Sequence, residues 1–347
     1  MKSPIKISCL PIAGIGNPYQ HLMMMGLRAG GAEVIHGKEG KFFALLNTAL
    51  VQRPDYLHVD WLHQYYLRRK AWMTWLLFPL FFMEILLLKT FTSTKLVWTL
   101  HNIYPHDKPQ HGPYKWARKW FAYHCDWIRV FHPSTIQRAS KVLGVDENKF
   151  KVVPEGAYVG YYQDKLTKKE AREQLEIGQN ERILLYLGLI KPYKGILELI
   201  QILKKTELPN VRLVVAGKAI DSQYWSSITS TLPAPVLLRE GFVEDNDLQM
   251  YFNAADAVIL PFQRIENSGS AILAMGFSKL ILAPQKGVLV ERLKQQNDWL
   301  YENEEELITR LKLFAQLETE RLAEIGEKNF SALEKHKWLD FFHFFIE

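Results

Sequence analysis

The chain has 347 residues, 48% of them hydrophobic, and a formal net charge of +6. This length predicts two domains of ordinary size, and the apolar content is enough for two cores. A mildly basic chain suits an anionic small molecule or an anionic membrane surface. The sequence carries no helix-turn-helix, zinc-finger or aromatic nucleic-acid signature, so nucleic acid is not a predicted partner.

The cysteines and the first residues indicate the compartment. Cys9 and Cys125 are far apart and lack metal-ligand spacing, as is typical of structural thiols in a reducing environment. The N-terminal apolar stretch is too short and too interrupted by proline for a signal peptide. We therefore expect a cytoplasmic protein that begins with a strand at residues 5–10.

A glycine-bearing turn follows the first strand. It contains Gly14, Gly16 and Asn17, and a helix is predicted after it at about 20–29. A strand, turn and helix of this kind open a doubly wound α/β domain, whose ligands lie at the carboxyl ends of the strands. The turn lacks the third glycine of the dinucleotide fingerprint, so alone it is a weak indication of a site.

Two later strands of the first half end in polar side chains. Asp60 follows a predicted strand at 56–59 and either lines a cleft or caps the next helix. The strand at 95–100 ends in a loop with four candidate site residues: His101, Asn102, His106 and Asp107. No third metal ligand accompanies the two histidines, so a polar lining for a sugar or phosphate is the better interpretation.

The segment 70–89 is apolar around every face of a helix. It is slightly short for a membrane span and carries Pro79 and Glu84, the second of which is costly in lipid. A buried helix, an interfacial helix and a true span are the three alternatives. The strand at 95–100 belongs to the same sheet as the earlier strands, so the chain must return to the same side of the membrane, which disfavours a span. We expect partial insertion into the inner face of the membrane in preference to simple burial.

The rest of the chain repeats the strand–helix alternation. A polar linker at 155–180 holds a short helix at about 165–175, and the tail at 338–345 is an aromatic helix. In the second half, strands are predicted at 182–187, 211–216, 236–238, 257–260 and 279–283, and helices at 196–204, 247–254 and 304–335. The predicted domains are 1–160, 161–330 and a C-terminal helix within 331–347 that packs back on the first domain.

One loop of the second half predicts an anion site. Asn267, Ser268, Gly269 and Ser270 stand directly before a run of good helix formers that begins at Ala271. A serine cap, a glycine that lets a ligand approach and the positive end of the helix dipole together favour an anion. The alternative is an ordinary N-cap that binds nothing.

The second half resembles the family 4 glycosyltransferases of the GT-B fold. That family has a strand leading to a glycine and, six residues later, Lys-Gly; here these are Gly188 and Lys194-Gly195. It also has a Gly-x-Val loop and an apolar strand ending in Leu-Pro, matched at 241–243 and 260–261. In the first half, residues 99–102 are similar to bacterial mannosyltransferases and exopolysaccharide enzymes. The resemblance implies an α/β fold of two Rossmann-like doubly wound domains facing each other across a cleft.

The sequence departs from the family at a pair of glutamates. The two positions, separated by seven residues, are occupied here by Ile265 and Leu273, and Glu266 lies one place after the first. The second glutamate of the family holds the nucleotide ribose, so that contact must come from elsewhere. Leu189 also replaces a common arginine, and Lys191 can supply its charge.

The resemblance implies a hexosyltransferase that uses a nucleotide-diphosphate sugar of the UDP or GDP type and no metal or other cofactor. We assign His101, Lys194 and Glu266 to catalysis. Donor binding is assigned to Gly14, Gly16, Lys191, Lys194, Phe242, Val243, Asn267, Ser268, Gly269 and Ser270. The acceptor side is assigned to Asn17, Asp60, Asn102, His106 and Asp107. The apolar segment 70–89 predicts a lipid-linked saccharide acceptor and a peripheral location on the inner membrane face.

The stereochemistry and the activity itself each have an alternative. Family 4 resemblance implies retention of the anomeric configuration, in which the leaving phosphate can take the acceptor proton. An inverting enzyme needs a base, for which Asp60, His106 and Asp107 are the candidates. A non-catalytic sugar-nucleotide-binding protein is the alternative to an enzyme.

Overall fold

The structure is a computed structural model that describes residues 3–12, 18–40, 42–67, 70–103, 112–233, 235–265 and 268–346. The chain divides into two compact units. The N-terminal unit comprises Met1–Gly156 with His336–Glu347, and the C-terminal unit comprises Ala157–Lys335.

Within the described residues, six parallel strands form the sheet of the N-terminal unit. They are β1 (Lys6–Leu10), β2 (Glu33–His36), β3 (Tyr56–Val59), β4 (Lys95–Thr99), β5 (Trp127–Val130) and β6 (Phe150–Val152). Their order is β2-β1-β3-β4-β5-β6. The chain therefore changes direction across the sheet between β1 and β3. In doubly wound sheets, the carboxyl ends of the strands at such a switch point form the ligand site.

Six helices of the described chain surround this sheet: α1 (Pro18–Ala29), α2 (Ala44–Gln52), α3 (His63–Tyr66), α4 (Ala71–Phe91), α5 (Pro113–His124) and α6 (Ser134–Leu143). Helix α2 begins at Ala44, directly after Phe43, which adopts a left-handed conformation (φ 52°). Strand β2, which sequence analysis did not predict, pairs with β1 from Lys6–Glu33 to Cys9–His36.

Helix α4 buries one face and exposes the other. Its inner face packs Phe78, Phe81, Ile85 and Leu88 into the N-terminal core. Glu84 also points inward and accepts the backbone N–H groups of Leu45 and Leu46 at 2.7 and 3.1 Å, so it caps the start of α2. Burial raises the pKa of Glu84 to about 7, and the two N–H donors oppose that rise. The acid that argued against a membrane span therefore has a structural role inside the unit.

The C-terminal unit has a second parallel sheet of six strands among its described residues. They are β7 (Arg182–Leu187), β8 (Val211–Gly217), β9 (Val236–Glu240), β10 (Ala257–Ile259), β11 (Leu280–Pro284) and β12 (Leu300–Tyr301). The order is β12-β11-β10-β7-β8-β9, so the switch point lies between β7 and β10. The predicted phosphate loop, which follows β10, starts at this point.

Eight helices cover this sheet in the described chain: α7 (Lys168–Gln174), α8 (Ile196–Lys205), α9 (Ser222–Thr229), α10 (Leu248–Ala254), α11 (Gly269–Gly276), α12 (Val288–Arg292), α13 (Glu304–Gln316) and α14 (Thr319–Leu333). The prediction of one helix at 304–335 is wrong, because the chain is extended at Leu317 (φ −70°, ψ 134°). There the Leu317 carbonyl accepts a hydrogen bond of 2.8 Å from Arg182, and the Leu317 side chain packs on the core.

The aromatic tail forms α15 (Asp340–Ile346) and packs on the N-terminal unit. It buries Phe341, Phe344 and Phe345. The Phe345 ring lies 5.0 Å from that of Tyr56, and the Arg129 guanidinium lies 4.1 Å from the Phe341 ring. This packing covers the apolar face of α15, which would otherwise be exposed to solvent.

Candidate active site

The loop after β7 holds the first two cations of the site in the C-terminal unit. Gly195 ends the loop with φ +71°, and a Cβ there would lie 2.0 Å from the Pro261 carbonyl oxygen. Only glycine fits so close an approach. The loop after β10 is thereby held against the loop that carries Lys191 and Lys194.

Lys194 lies half-buried against an aromatic ring. Its Nζ is 3.7 Å from the centroid of the Phe262 ring. Burial, and next the nearby charge of Lys191, lowers the pKa of the Lys194 ammonium to about 8. An anion bound here would stabilise the charged form of Lys194, because it would neutralise two close positive charges.

The start of α11 faces this loop. Ser268 is buried, and its Oγ accepts the backbone N–H of Ala271 at 3.1 Å, as the sequence predicts for an N-cap. A Cβ on Gly188 would lie 3.7 Å from the Ser270 Oγ, which places the helix start beside the end of β7. Gly269 is exposed, so its backbone is open to a ligand.

Arg292, at the end of α12, is a cation of this site that sequence analysis missed. It donates a hydrogen bond of 3.4 Å to the Ser268 carbonyl oxygen. The guanidinium therefore lies at the N-terminus of α11, where the helix dipole already favours an anion. Lys191, Lys194, Arg292 and the free N–H groups of α11 can together bind a diphosphate.

An apolar rim borders the same edge of the sheet. Leu189, Ile220 and Phe242 follow β7, β8 and β9, with exposed fractions of 47%, 52% and 61%. Val243, the neighbour predicted to border the base, is half-buried. Large apolar side chains that stay exposed at one edge indicate a binding surface, and a flat aromatic ligand suits it.

The N-terminal unit places two predicted residues together at the carboxyl ends of β3 and β4, next to its switch point. Asp60 follows β3 and His101 follows β4, and these strands are neighbours. The His101 Nε2 lies 2.9 Å from the Asp60 Oδ1. Asn102 is next to His101, and its carbonyl oxygen accepts a hydrogen bond from Arg118.

The side chain of Asp60, which the sequence assigns to the acceptor side, is fully buried. The carboxylate has no exposed surface, since His101 covers one oxygen and Gln20 donates to the other at 3.3 Å. Burial alone would raise the pKa of Asp60, but His58, His101 and Arg129 outweigh it and hold the pKa below its usual value. Asp60 is therefore a buried, ionised group that is hydrogen-bonded to His101.

Seven of the predicted site residues lie outside the residues that the structure describes: Gly14, Gly16, Asn17, His106, Asp107, Glu266 and Asn267. In the described ranges, no group of three or more His, Cys, Asp or Glu side chains is arranged to hold a metal ion.

Comparison with known proteins decides the family. Residues 167–330 match the model of the glycosyl transferases group 1. This chain carries a group 1 glycosyl transferase domain and has the GT-B fold. The structure of HepE from Anabaena in complex with UDP and glucose covers 99% of this chain and 98% of its own, with a TM-score of 0.72 and 16% identity. The predicted class, two Rossmann-like α/β domains, is confirmed.

Two curated relatives carry specific names. One is the GDP-mannose:glycolipid 4-beta-D-mannosyltransferase of Xanthomonas campestris pv. campestris, 26% identical over 274 residues, which are 76% of this glycosyltransferase and 71% of the relative. The other is the lipopolysaccharide 1,2-N-acetylglucosaminetransferase of Salmonella typhimurium, 26% identical over 211 residues, 57% of this chain and 51% of the relative. Both relatives are hexosyltransferases, which confirms the predicted enzyme class.

Proposed function

We propose that this glycosyltransferase moves a hexosyl group from a nucleotide-diphosphate sugar, with GDP-mannose as the first candidate, to a lipid-linked saccharide. The observation that carries the proposal is the set of cations on the loop after β7 and at the start of α11, within the domain that matches the group 1 glycosyl transferases. The relative from Xanthomonas, named for GDP-mannose and a glycolipid, supports the choice of donor and acceptor.

The chemistry required of the C-terminal unit is charge stabilisation. As the bond from sugar to phosphate breaks, negative charge develops on the departing nucleoside diphosphate. Lys194 supplies positive charge from the loop after β7 and Arg292 from the end of α12, and the α11 N–H groups supply oriented dipoles. Phe242 and the rest of the apolar rim provide a surface for the base. This arrangement requires no metal ion.

The acceptor side of the proposal rests on an exposed apolar surface of the N-terminal unit. Within the residues that the structure describes, the stretch Trp72–Phe91 of α4 is long and apolar enough to cross a membrane. Only 33% of its apolar part is buried. Six outward side chains, with exposed fractions from 43% to 69%, form the outer face of α4: Trp72, Trp75, Leu76, Met83, Leu86 and Phe91. Trp116 and Tyr123 of the neighbouring α5 are exposed as well.

The charge around the outer face of α4 favours an anionic bilayer. Residues 70–124 contain seven lysines and arginines but only two acids, Glu84 and Asp107. Glu84 is buried, while Lys70 and Lys115 are exposed beside the exposed tryptophans. Tryptophan and lysine together are typical of helices that lie in the membrane interface. We therefore place the enzyme in the cytoplasm, peripheral on the inner membrane face, where a lipid-linked acceptor is available.

Thermal unfolding of the full chain with a panel of nucleoside diphosphates tests the donor. GDP at about one hundred times its dissociation constant should add about 2.7 kcal/mol to the free energy of unfolding. We expect a rise in Tm with GDP that exceeds the rise with UDP or ADP and is lost in Lys194→Ala. A rise with UDP alone would reassign the donor, and no rise with any nucleotide would refute the site.

A further inference from the structure

The hydrogen bond between Asp60 and His101 joins a fully buried group to a partly accessible one. The side chain of Asp60 has no exposed surface, whereas that of His101 is 15% exposed. Because the carboxylate is ionised, it accepts the hydrogen bond, and His101 Nε2 is the donor. The lone pair of the imidazole is then on Nδ1. The carboxylate thus selects one tautomer of a ring that is partly exposed.

Aromatic neighbours fix the orientation of that ring. Trp61 stacks on His101 with the ring centroids 5.2 Å apart and an angle of 15° between the planes. Tyr19 contacts it edge-on at 4.9 Å. A histidine held by a carboxylate on one nitrogen and by rings on its faces can turn little, so its second nitrogen has a defined direction.

The second histidine near Asp60 does not share this role. His58 Nδ1 lies 3.8 Å from the Asp60 carboxylate, too far for a hydrogen bond, and its Nε2 is 2.7 Å from the Thr99 hydroxyl. The side chain is fully buried, and burial lowers the pKa of His58 to about 4. His58 is therefore neutral at physiological pH, and His101 is the one of the two that a substrate can reach.

We propose that His101 is the general base of an inverting transfer and that Asp60 is its positioning residue. The inference rests on the proposed function and deepens it. The acceptor hydroxyl gives its proton to His101 Nδ1 while its oxygen forms a bond to the anomeric carbon. The bond from that carbon to the diphosphate breaks, and its electron pair leaves with the nucleoside diphosphate. Asp60 stabilises the imidazolium until the proton passes to water.

Two further observations favour inversion over the retention that the family resemblance implies. The glutamate pair of the retaining family is replaced here by Ile265 and Leu273. The relative from Xanthomonas is named for a beta-mannosyl product. GDP-mannose carries its mannose in the alpha configuration, so a beta product requires attack from the opposite face. That attack requires a base on the protein.

The test compares His101→Gln, Asp60→Asn and the exposed control His343→Gln in a transfer assay with GDP-mannose. We expect His101→Gln to lower kcat about a hundredfold or more while the rise in Tm with GDP is unchanged. In Asp60→Asn, the new side-chain amide can donate its N–H to His101 Nε2 and so favour the tautomer that is protonated on Nδ1. This should also lower kcat about a hundredfold. The KM of Asp60→Asn for GDP-mannose and its rise in Tm with GDP should stay as in wild type, so that the loss is confined to kcat. His343→Gln should behave as wild type.

If wild type transfers sugar and His101→Gln does so within about threefold of it, the proposed base is wrong. A product that keeps the anomeric configuration of the donor, determined by NMR, would overturn it as well. If wild type binds no nucleotide and transfers no sugar, the proposed function itself fails.

Discussion

Replacing Lys194 by alanine is expected to lower the turnover of sugar transfer about a hundredfold or more, the effect of losing one preorganised donor to a developing oxyanion. The side chain is held against Phe262 beside the start of α11, and its ammonium is partly desolvated even before an anion arrives. Steady-state kinetics with saturating donor measure the effect on kcat, and the rise in Tm with GDP measures the loss of binding.

The matched control for this variant is Lys205→Ala. Lys205 is exposed at the end of α8, in the same unit but away from the loops that follow β7 and β10. Wild-type turnover is expected there. Turnover of Lys194→Ala close to that of wild type would show that the departing diphosphate does not contact this loop.

Removing apolar side chains from the outer face of α4 should release the protein from membranes. The triple variant Trp72→Ser, Trp75→Ser and Leu76→Ser deletes the most N-terminal part of that face, where the three side chains are 59% to 65% exposed. Vesicle affinity should fall at least about tenfold, since each large side chain loses apolar area that lipid would cover. Flotation with vesicles containing anionic phospholipid measures the bound fraction.

The control for the membrane experiment is Leu313→Ser, which removes a side chain 47% exposed on α13. It should float as wild type does. Higher salt should also reduce flotation, because exposed lysines contribute to binding. Equal flotation of wild type and triple variant would show that the outer face of α4 is not the lipid contact. The acceptor would then have to be presented in another way.

The donor loops could be predicted from sequence because each is a local pattern. Gly188, Lys194 and Gly195 lie within eight residues, and Ser268 directly precedes its helix. Arg292 could not be found in this way. It reaches Ser268 only because the chain passes through β11 and returns in α12, a distance of 24 residues along the sequence.

The pair of Asp60 and His101 depends on sheet register. From sequence, both residues are predicted at strand ends, but His101 is assigned to catalysis and Asp60 to the acceptor side. Only the pairing of β3 with β4, which places Val59 opposite Trp98, brings the two side chains together. The burial that turns Asp60 from a base into a positioning group is likewise a property of the folded unit.

Some elements were missed because their sequence signal is weak. Helix α9 is rich in serine, and its start depends on the Asp221 side chain, which accepts the Tyr224 N–H at 2.9 Å. Strand β2 has four residues and one buried position. The break at Leu317 has neither proline nor glycine and follows from tertiary contacts. Local propensity cannot anticipate such features.

The most direct test of the account is transfer of labelled mannose. The full chain is incubated with membranes of its source organism and with GDP-mannose that is labelled in the sugar. The label that can be extracted with the lipids is then measured. We predict transfer of the label from GDP-mannose into a lipid-linked saccharide, abolished in Lys194→Ala and retained in Lys205→Ala. Label that stays in GDP-mannose, or appears only as free mannose while nucleotide binding is normal, would contradict the account.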